Sequence, residues 1–85
     1  MKTNKNEVKR LLRERQNGRC AITGLALPED TSLFDAERIV PKSQGGKYEL
    51  ENLRAVLPWA RQAEHEGKDP IQAMGRIMAK DIEQL

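Results

Sequence analysis

The chain reads FDAERIVPKSQGGKYELENL over residues 34–53, and this stretch decides the fold. Pro41 ends an apolar-rich run, because proline lacks the N–H group that a strand ladder needs. A polar loop around Gly45-Gly46 follows, after which residues 53–57 are apolar enough to return as a second strand. The pattern therefore predicts a β-hairpin over residues 34–57. Strand conformation before the proline is predicted for Leu33, Phe34, Arg38, Ile39 and Val40.

An N-terminal helix is predicted over residues 4–16. Thr3 or Asn4 provides the N-cap, since a short polar side chain can accept a hydrogen bond from the first helical N–H groups. Asn17-Gly18 supplies the left-handed residues that commonly end a helix. The helical spacing places three apolar side chains on one face, namely Val8, Leu11 and Leu12.

Two more helices are predicted after the hairpin. Pro58 suits the first turn of a helix, because its missing N–H would have no partner there, and helical propensity continues up to Gly67. Asp69-Pro70 is a cap followed by a first-turn proline, which opens an amphipathic C-terminal helix over residues 70–85. The apolar face of this last helix consists of Ile71, Met74, Ile77, Met78, Ile82 and Leu85.

The length and the cysteine count limit how the protein can be stabilised. Eighty-five residues predict one domain over residues 1–85, and a domain of that size is usually braced by a metal, a disulfide or a partner. The single Cys20 excludes an intramolecular disulfide. No apolar run approaches the ~20 residues of a membrane span. We therefore expect a cytoplasmic protein that has no membrane partner.

Basic residues are concentrated at the N-terminal end of the chain. Residues 1–19 hold seven Lys or Arg and two Glu, a net charge of +5, whereas the whole chain carries +2. Such a stripe can neutralise the phosphates of a nucleic acid. A solvated helix face explains the same pattern equally well, so both interpretations stay open.

The residues from Glu37 to Leu53 resemble the central signature of the HNH endonucleases. In that family an acid-His pair is followed by an apolar pair, a Pro, a Gly-Gly loop and an Asn-Leu. Arg38 stands here where the family has His, and the rest of the signature is kept in order by Glu37, Ile39, Val40, Pro41, Gly45, Gly46, Asn52 and Leu53. The resemblance covers residues 18–67. It implies an α+β fold, in which a small ββα-metal hairpin-plus-helix core is flanked by N-terminal and C-terminal helices.

The resemblance also implies roles for residues on the hairpin. Glu37 matches the acidic metal ligand and can coordinate a divalent ion through oxygen. Arg38 matches the general-base His, but a guanidinium stays protonated and cannot abstract a proton. It can instead hold a phosphate bidentately, or pair with a neighbour such as Glu37. Asn52 matches the family Asn, and with the base replaced we expect it to bond the backbone of the Gly-rich loop.

Arg61 and His65 are four residues apart on the predicted second helix, so they share one face. The family often has metal-facing Asn or His at these positions, whereas Arg61 would repel a cation. Glu37 and His65 are therefore the only metal candidates, and we expect no bound cofactor unless Mg²⁺ or Mn²⁺ supports cleavage. His65 can equally be an ordinary surface histidine.

Many small HNH proteins also hold a structural zinc between two Cys-x-x-Cys pairs. Cys20 and Thr23 align with the first pair, and Leu57 and Ala60 with the second. With three of the four ligands replaced, we expect no structural zinc. Cys20, Leu57 and Ala60 should pack as a small apolar plug instead.

Three functions remain after these considerations. The first is a degenerate HNH-like module that binds nucleic acid, above all DNA, without cleaving it and is therefore not an enzyme. The second is an active but slow metal-dependent endonuclease that hydrolyses phosphodiesters with Glu37 and His65. The third is a protein-interaction module that forms a homodimer through the C-terminal helix. The nucleic-acid contacts expected for the first are Lys9, Arg10, Arg13, Arg38, Arg54 and Arg61.

Overall fold

An antiparallel hairpin, preceded by one α-helix and followed by another, forms the centre of a computed structural model that describes residues 4–72. The elements in chain order are α1 (Lys5–Arg15), β1 (Asp35–Arg38), β2 (Leu53–Val56) and α2 (Pro58–His65). Short 3-10 turns lie at Thr31–Leu33, Lys42–Gln44 and Leu50–Asn52. This small α+β architecture confirms the predicted order of helix, hairpin and helix.

Helix α1 begins and ends as its sequence predicts. The Asn4 side chain caps it by accepting a hydrogen bond of 2.8 Å from the N–H of Glu7. Asn17 and Gly18 follow with φ angles of 55° and 71°, the left-handed conformation that stops the helix. Among the three apolar residues predicted to lie on one face, Val8 and Leu12 are buried. Leu11 is 42 % exposed, so the apolar face of α1 is only partly buried.

The hairpin is shorter at its first strand than the sequence predicts. The strands pair from Asp35 opposite Val56 to Arg38 opposite Leu53. Strand conformation is also predicted for Leu33, Phe34, Ile39 and Val40, but Leu33 lies in a 3-10 turn, Phe34 ends that turn, and the other two follow the strand. All four lie outside β1, so the strand prediction is wrong for them.

Asn52 is the physical reason for the early end of β1. Its side-chain oxygen accepts a hydrogen bond from the N–H of Val40, and its amide donates to the carbonyls of Val40 and Lys47 at 3.0 and 2.9 Å. These bonds satisfy the backbone that a longer strand would have paired. The bonding of the Gly-rich loop by Asn52, predicted from the sequence, is confirmed.

Gly46 completes this arrangement by letting two backbone segments approach closely. A Cβ atom at position 46 would lie 1.7 Å from the carbonyl oxygen of Val40 and 2.9 Å from the Asn52 side-chain nitrogen. No side chain larger than hydrogen fits there without moving the backbone. Gly46 and Asn52 thus both contact Val40 and hold the loop between the strands in place.

Polar side chains attach α1 to strand β2. The Gln16 side chain accepts from the N–H of Ala55 at 2.8 Å and donates to its carbonyl at 3.0 Å, so it pairs with the strand as a neighbouring backbone would. Arg15 donates to the carbonyls of Leu50 and Leu53 at 2.9 and 2.6 Å. The free hydrogen-bonding edge of β2 is thus occupied by the end of α1.

The core lies where α1, the hairpin and the start of α2 meet. Its largest fully buried side chains are Phe34, Leu12, Leu53 and Val56. Burying each of them contributes about 1.5–3 kcal/mol relative to exposure. Ala60 of α2 is also fully buried in this cluster, next to partly buried Leu57 and Trp59.

The C-terminal helix predicted over residues 70–85 can be followed only at its start. Residues 70–72 are helical, and the Asp69 carboxylate caps them by accepting a hydrogen bond of 2.9 Å from the N–H of Ile71. The rest of the predicted apolar face, from Met74 onward, lies outside the described residues. Within residues 4–72, no helix has the length and apolar character needed to cross a bilayer.

Candidate nucleic-acid interface

A cluster of charged residues joins the hairpin to α2. Glu37, on β1, is only 8 % exposed and is the one buried charged side chain among the described residues. Its Oε1 atom accepts hydrogen bonds from Nε and Nη2 of Arg54, the former at 2.7 Å. Arg54 lies directly opposite Glu37 in the strand register, so both side chains lie on one face of the hairpin. The burial of Glu37 is therefore compensated by a charged hydrogen-bond donor.

Arg61 of α2 approaches the second oxygen of the same carboxylate. Its Nε atom is 3.4 Å from Glu37 Oε2, and its Nη1 atom is 3.6 Å from Asp35 Oδ2. Arg54 also contacts Glu64 of α2 at 2.9 Å. These five side chains, three carboxylates and two guanidinium groups, form what we call the carboxylate–arginine cluster.

The cluster does not fit the divalent metal that the HNH resemblance implies. Both oxygens of Glu37 face a guanidinium group, and a cation bound there would lie within a few ångströms of two positive charges. His65, the second candidate ligand, is exposed. Within the part of the chain that the structure describes, no three His, Cys, Asp or Glu residues are grouped as a metal site would require. Arginine side chains thus occupy the carboxylate to which the resemblance assigns a metal ion.

The expected alternative in which Arg38 pairs with Glu37 is wrong. Neighbouring residues of a strand point to opposite faces, so Glu37 pairs across the hairpin with Arg54 instead. The Arg38 guanidinium lies over the Tyr48 ring, 5.5 Å from its centre. It forms no salt bridge with any described residue, and its Nε atom is buried without a hydrogen-bond partner among them.

Arg38 lines a pocket of about 230 Å³ beside β1. Lys42 and Arg61 add two more positive charges to its wall, and Glu37 is already neutralised by arginine. The remaining wall consists of Ala36, Pro41, Tyr48 and His65. The pocket therefore brings together four of the predicted site residues, Glu37, Arg38, Arg61 and His65, and its unpaired charges are positive.

The sequence suggests that the basic side chains of α1 contact phosphate, but two of them already bond the protein backbone. Lys9 donates to the carbonyl of Thr31 at 2.9 Å, and Arg13 donates to the carbonyls of Pro28 and Leu27 at 3.1 and 3.3 Å. Arg10 is exposed. Carbonyls do not cancel the positive charge, so the helix still attracts anions, but Lys9 and Arg13 also brace the loop that follows α1.

Of the four positions that align with a zinc site, Cys20 and Ala60 are buried in the core, Leu57 packs against it, and Thr23 is half-buried. Cys20 is buried and its Sγ atom accepts a hydrogen bond of 3.4 Å from the N–H of Leu57. Burial raises the pKa of the Cys20 thiol, but hydrogen bonds from the Thr23 side chain and from the N–H groups of Leu57, Thr23 and Ile22 outweigh it and lower that pKa overall. One thiol beside Thr23, Leu57 and Ala60 does not fit zinc.

Besides the apolar Ala36 and Pro41, two residues of the pocket are not among the site residues predicted from the sequence. Lys42 and Tyr48 both belong to the loop that Asn52 holds, and both line the pocket with Arg38. Tyr48 is the only tyrosine of the chain, and it follows the Gly-Gly turn. An aromatic residue in a polar loop was the available signal, because tyrosine is enriched at binding surfaces, where its apolar ring and its hydroxyl can both make contacts.

Comparison of the sequence and structure with models of known protein families, with curated proteins and with solved structures finds no match.

Proposed function

We propose that this chain is a degenerate HNH-endonuclease-like module that binds nucleic acid, in the first place DNA, without cleaving it. The observation that carries the proposal is the contrast between Glu37 and Arg38. The carboxylate that would hold a metal is occupied by two guanidinium groups, while the guanidinium at the position of the general base lines a pocket whose one carboxylate, Glu37, is already paired with arginine. The site has lost the groups for hydrolysis and has kept groups that bind phosphate.

Two features support the HNH-like fold as the framework of this site. The order of strand, long loop, strand and helix agrees with the core that the resemblance implies. Asn52 and Gly46, two residues of the signature, also close the loop between the strands through direct contacts. Both residues have a structural task that does not depend on catalysis, which explains why they can remain after the catalytic His and the metal ligands are replaced.

Loss of cleavage follows from the chemistry of arginine. A general base must release its proton near neutral pH, and the guanidinium of Arg38 does not. Arg61 adds a second obstacle, because it approaches Glu37 Oε2 at 3.4 Å and disfavours a cation there. A base of suitable pKa typically contributes about 10²- to 10⁴-fold in rate. An enzyme built on this site would be slow even if it held a metal.

Phosphate binding follows from the same charges. Arg38 and Lys42 lie on the wall of one pocket, and neither forms a salt bridge with a described residue. The basic surface of α1, with exposed Arg10, supplies long-range attraction of the kind that gives non-specific affinity. Arg54 is the predicted contact least suited to phosphate, because it already bonds Glu37 and Glu64.

The test is binding to a labelled DNA duplex over a series of salt concentrations, together with a plasmid cleavage assay in Mg²⁺ and Mn²⁺. We expect salt-dependent binding and no cleavage. Replacing Arg38 and Lys42 with Gln should reduce the slope of log affinity against log salt by about 0.9 per lost phosphate contact. Lys68→Gln is the matched control, since it removes the same charge from a residue that pairs with Glu66 outside the pocket.

Two outcomes would replace the proposal. Nicking that is lost in both Glu37→Ala and His65→Ala would establish the slow metal-dependent endonuclease. Absence of binding to duplex DNA, single-stranded DNA and RNA at low salt, combined with a stable dimer in solution, would favour the interaction module.

A further inference from the structure

Tyr48 is an aromatic side chain held open to solvent inside a positively charged pocket. It is 37 % exposed, and one face of its ring carries the Arg38 guanidinium. We propose that this pocket receives one unpaired nucleotide of a single-stranded nucleic acid, with the base against Tyr48 and a phosphate between Arg38 and Lys42. The inference rests on the proposed function and names the form of nucleic acid that the same site prefers.

The charges around the ring are those that a nucleotide phosphate requires. Arg38 and Lys42 lack carboxylate partners among the described residues, whereas Arg54 and Arg61 are engaged by the carboxylate–arginine cluster. The pocket thus has two positive charges available beside its one aromatic ring. Proteins that bind single strands combine these two elements, a basic groove along the backbone and an aromatic ring on which a base stacks.

The shape of the pocket argues for an unpaired base rather than a duplex. In a duplex the bases are stacked inside and present only their edges in the grooves, so an aromatic ring in a recess cannot reach a base face. Ala36 and Pro41 line the same recess, of about 230 Å³, and offer apolar contact to a base that enters it. A duplex would meet only the charges at the rim.

The loop that carries Lys42 and Tyr48 is fixed before any ligand arrives. The Asn52 side chain donates to the carbonyl of Lys47, the residue that precedes Tyr48. The same side chain accepts a hydrogen bond from the N–H of Val40 and donates one to the Val40 carbonyl. Gly46 closes the turn against Val40. Because the ring is already held in position, stacking a base on it loses little further conformational entropy.

The experiment compares the affinity for a labelled oligothymidylate with that for a duplex of matched length, by fluorescence anisotropy at one salt concentration. Wild-type protein should bind the single strand more tightly. Tyr48→Ala should weaken single-strand binding roughly 5- to 150-fold and leave duplex binding unchanged, the range known for loss of one base stack. Tyr48→Phe is the matched control and should stay within about twofold of wild type, because it keeps the ring.

Melting temperatures of all variants separate a lost stack from a lost fold. Tyr48→Leu keeps an apolar side chain against Arg38 but has no ring, so it should bind like Tyr48→Ala if stacking is the cause. Equal affinity of wild type and Tyr48→Ala for the single strand, or a preference for duplex, would overturn the inference while the proposed function stands. If wild-type protein bound no nucleic acid at all, both the proposed function and this inference would be wrong.

Discussion

The two helices are attached to the same hairpin by different kinds of polar contact: α1 bonds backbone groups of the hairpin, whereas α2 contacts charged side chains. Helix α1 uses Gln16 and Arg15 to bond the backbone of β2 and its preceding turn. Helix α2 instead meets side chains, because Arg61 approaches the carboxylates of Asp35 and Glu37. Backbone groups do not change with sequence, so the α1 attachment tolerates substitution in the strands. The α2 attachment depends on charges, and it occupies the region where the resemblance places catalysis.

The largest effect on stability should come from removing Glu37, the carboxylate that Arg54 and Arg61 share. Glu37→Ala leaves Arg54 and Arg61 without their shared partner next to a buried surface. We expect a loss of about 2–3 kcal/mol in the free energy of unfolding, below the range for a fully buried pair because both arginines are partly exposed. Urea denaturation measures it.

Glu64→Ala is the matched control for that measurement. It removes a carboxylate that also contacts Arg54, but one that is exposed, and it should cost less than about 1 kcal/mol. Equal effects of the two substitutions would mean that the burial of Glu37 has no energetic importance, and the contrast between the two attachments would then be wrong.

A smaller effect should follow from breaking the α1 attachment. Gln16→Ala leaves the N–H of fully buried Ala55 without the partner that it has at 2.8 Å, while the carbonyl keeps a bond from the N–H of Ala21. One unsatisfied buried donor costs about 1–2 kcal/mol, which denaturant unfolding can resolve. Gln62→Ala, which removes only a contact with Glu66, should change stability by less than about 0.5 kcal/mol. A destabilisation as small in Gln16→Ala would contradict the role given to its side chain.

The smallest expected effect is a pH dependence of stability at Cys20, which lies in the core and bonds the N–H of Leu57 at the start of α2. Cys20 has its pKa lowered from the ordinary 9.0, with burial opposing and the hydrogen bonds from Thr23 and Leu57 producing the net change. A thiol whose folded pKa is depressed stabilises the fold above the unfolded pKa, and this contribution is lost as the pH falls through the folded pKa.

Stability should therefore rise with pH in the alkaline range just below 9.0 more steeply in wild type than in Cys20→Ala. Thermal melts of the two proteins across that range provide the measurement, and ultraviolet titration of the thiolate reports the folded pKa directly. Parallel stability curves would show that the hydrogen bonds to Sγ do not favour the thiolate.

Local signals made the helices predictable from the sequence. Asn4, Asn17-Gly18 and Pro58 act on their own neighbours, so the bounds of α1 and α2 follow from the chain directly. Ile39 and Val40 have strong strand propensity, yet β1 ends before them because the Asn52 side chain, twelve residues away, takes the backbone groups of Val40. A contact at that separation overrides local preference and is not visible in a single sequence.

The site was predictable in composition but not in pairing. Glu37, Arg38, Arg61 and His65 line one pocket, as the resemblance implies. The pairing of Glu37 with Arg54 depends on the strand register, which the turn geometry and loop closure fix. Tyr48 was missed for a related reason, since only the folded loop brings it against Arg38.

The way in which α1 bonds β2 has a consequence for how the protein behaves at high concentration. A two-stranded sheet exposes two edges, and each is a template on which a strand from another molecule can add. On β2 the backbone groups of Ala55 are used by Gln16 and Ala21, and the carbonyl of Leu53 is used by Arg15. That edge cannot extend into an intermolecular sheet. A chain that lost Gln16 would free only the N–H of Ala55, because Ala21 and Arg15 still use the carbonyls of Ala55 and Leu53, and that single donor would be the first point on this edge at which another strand could pair.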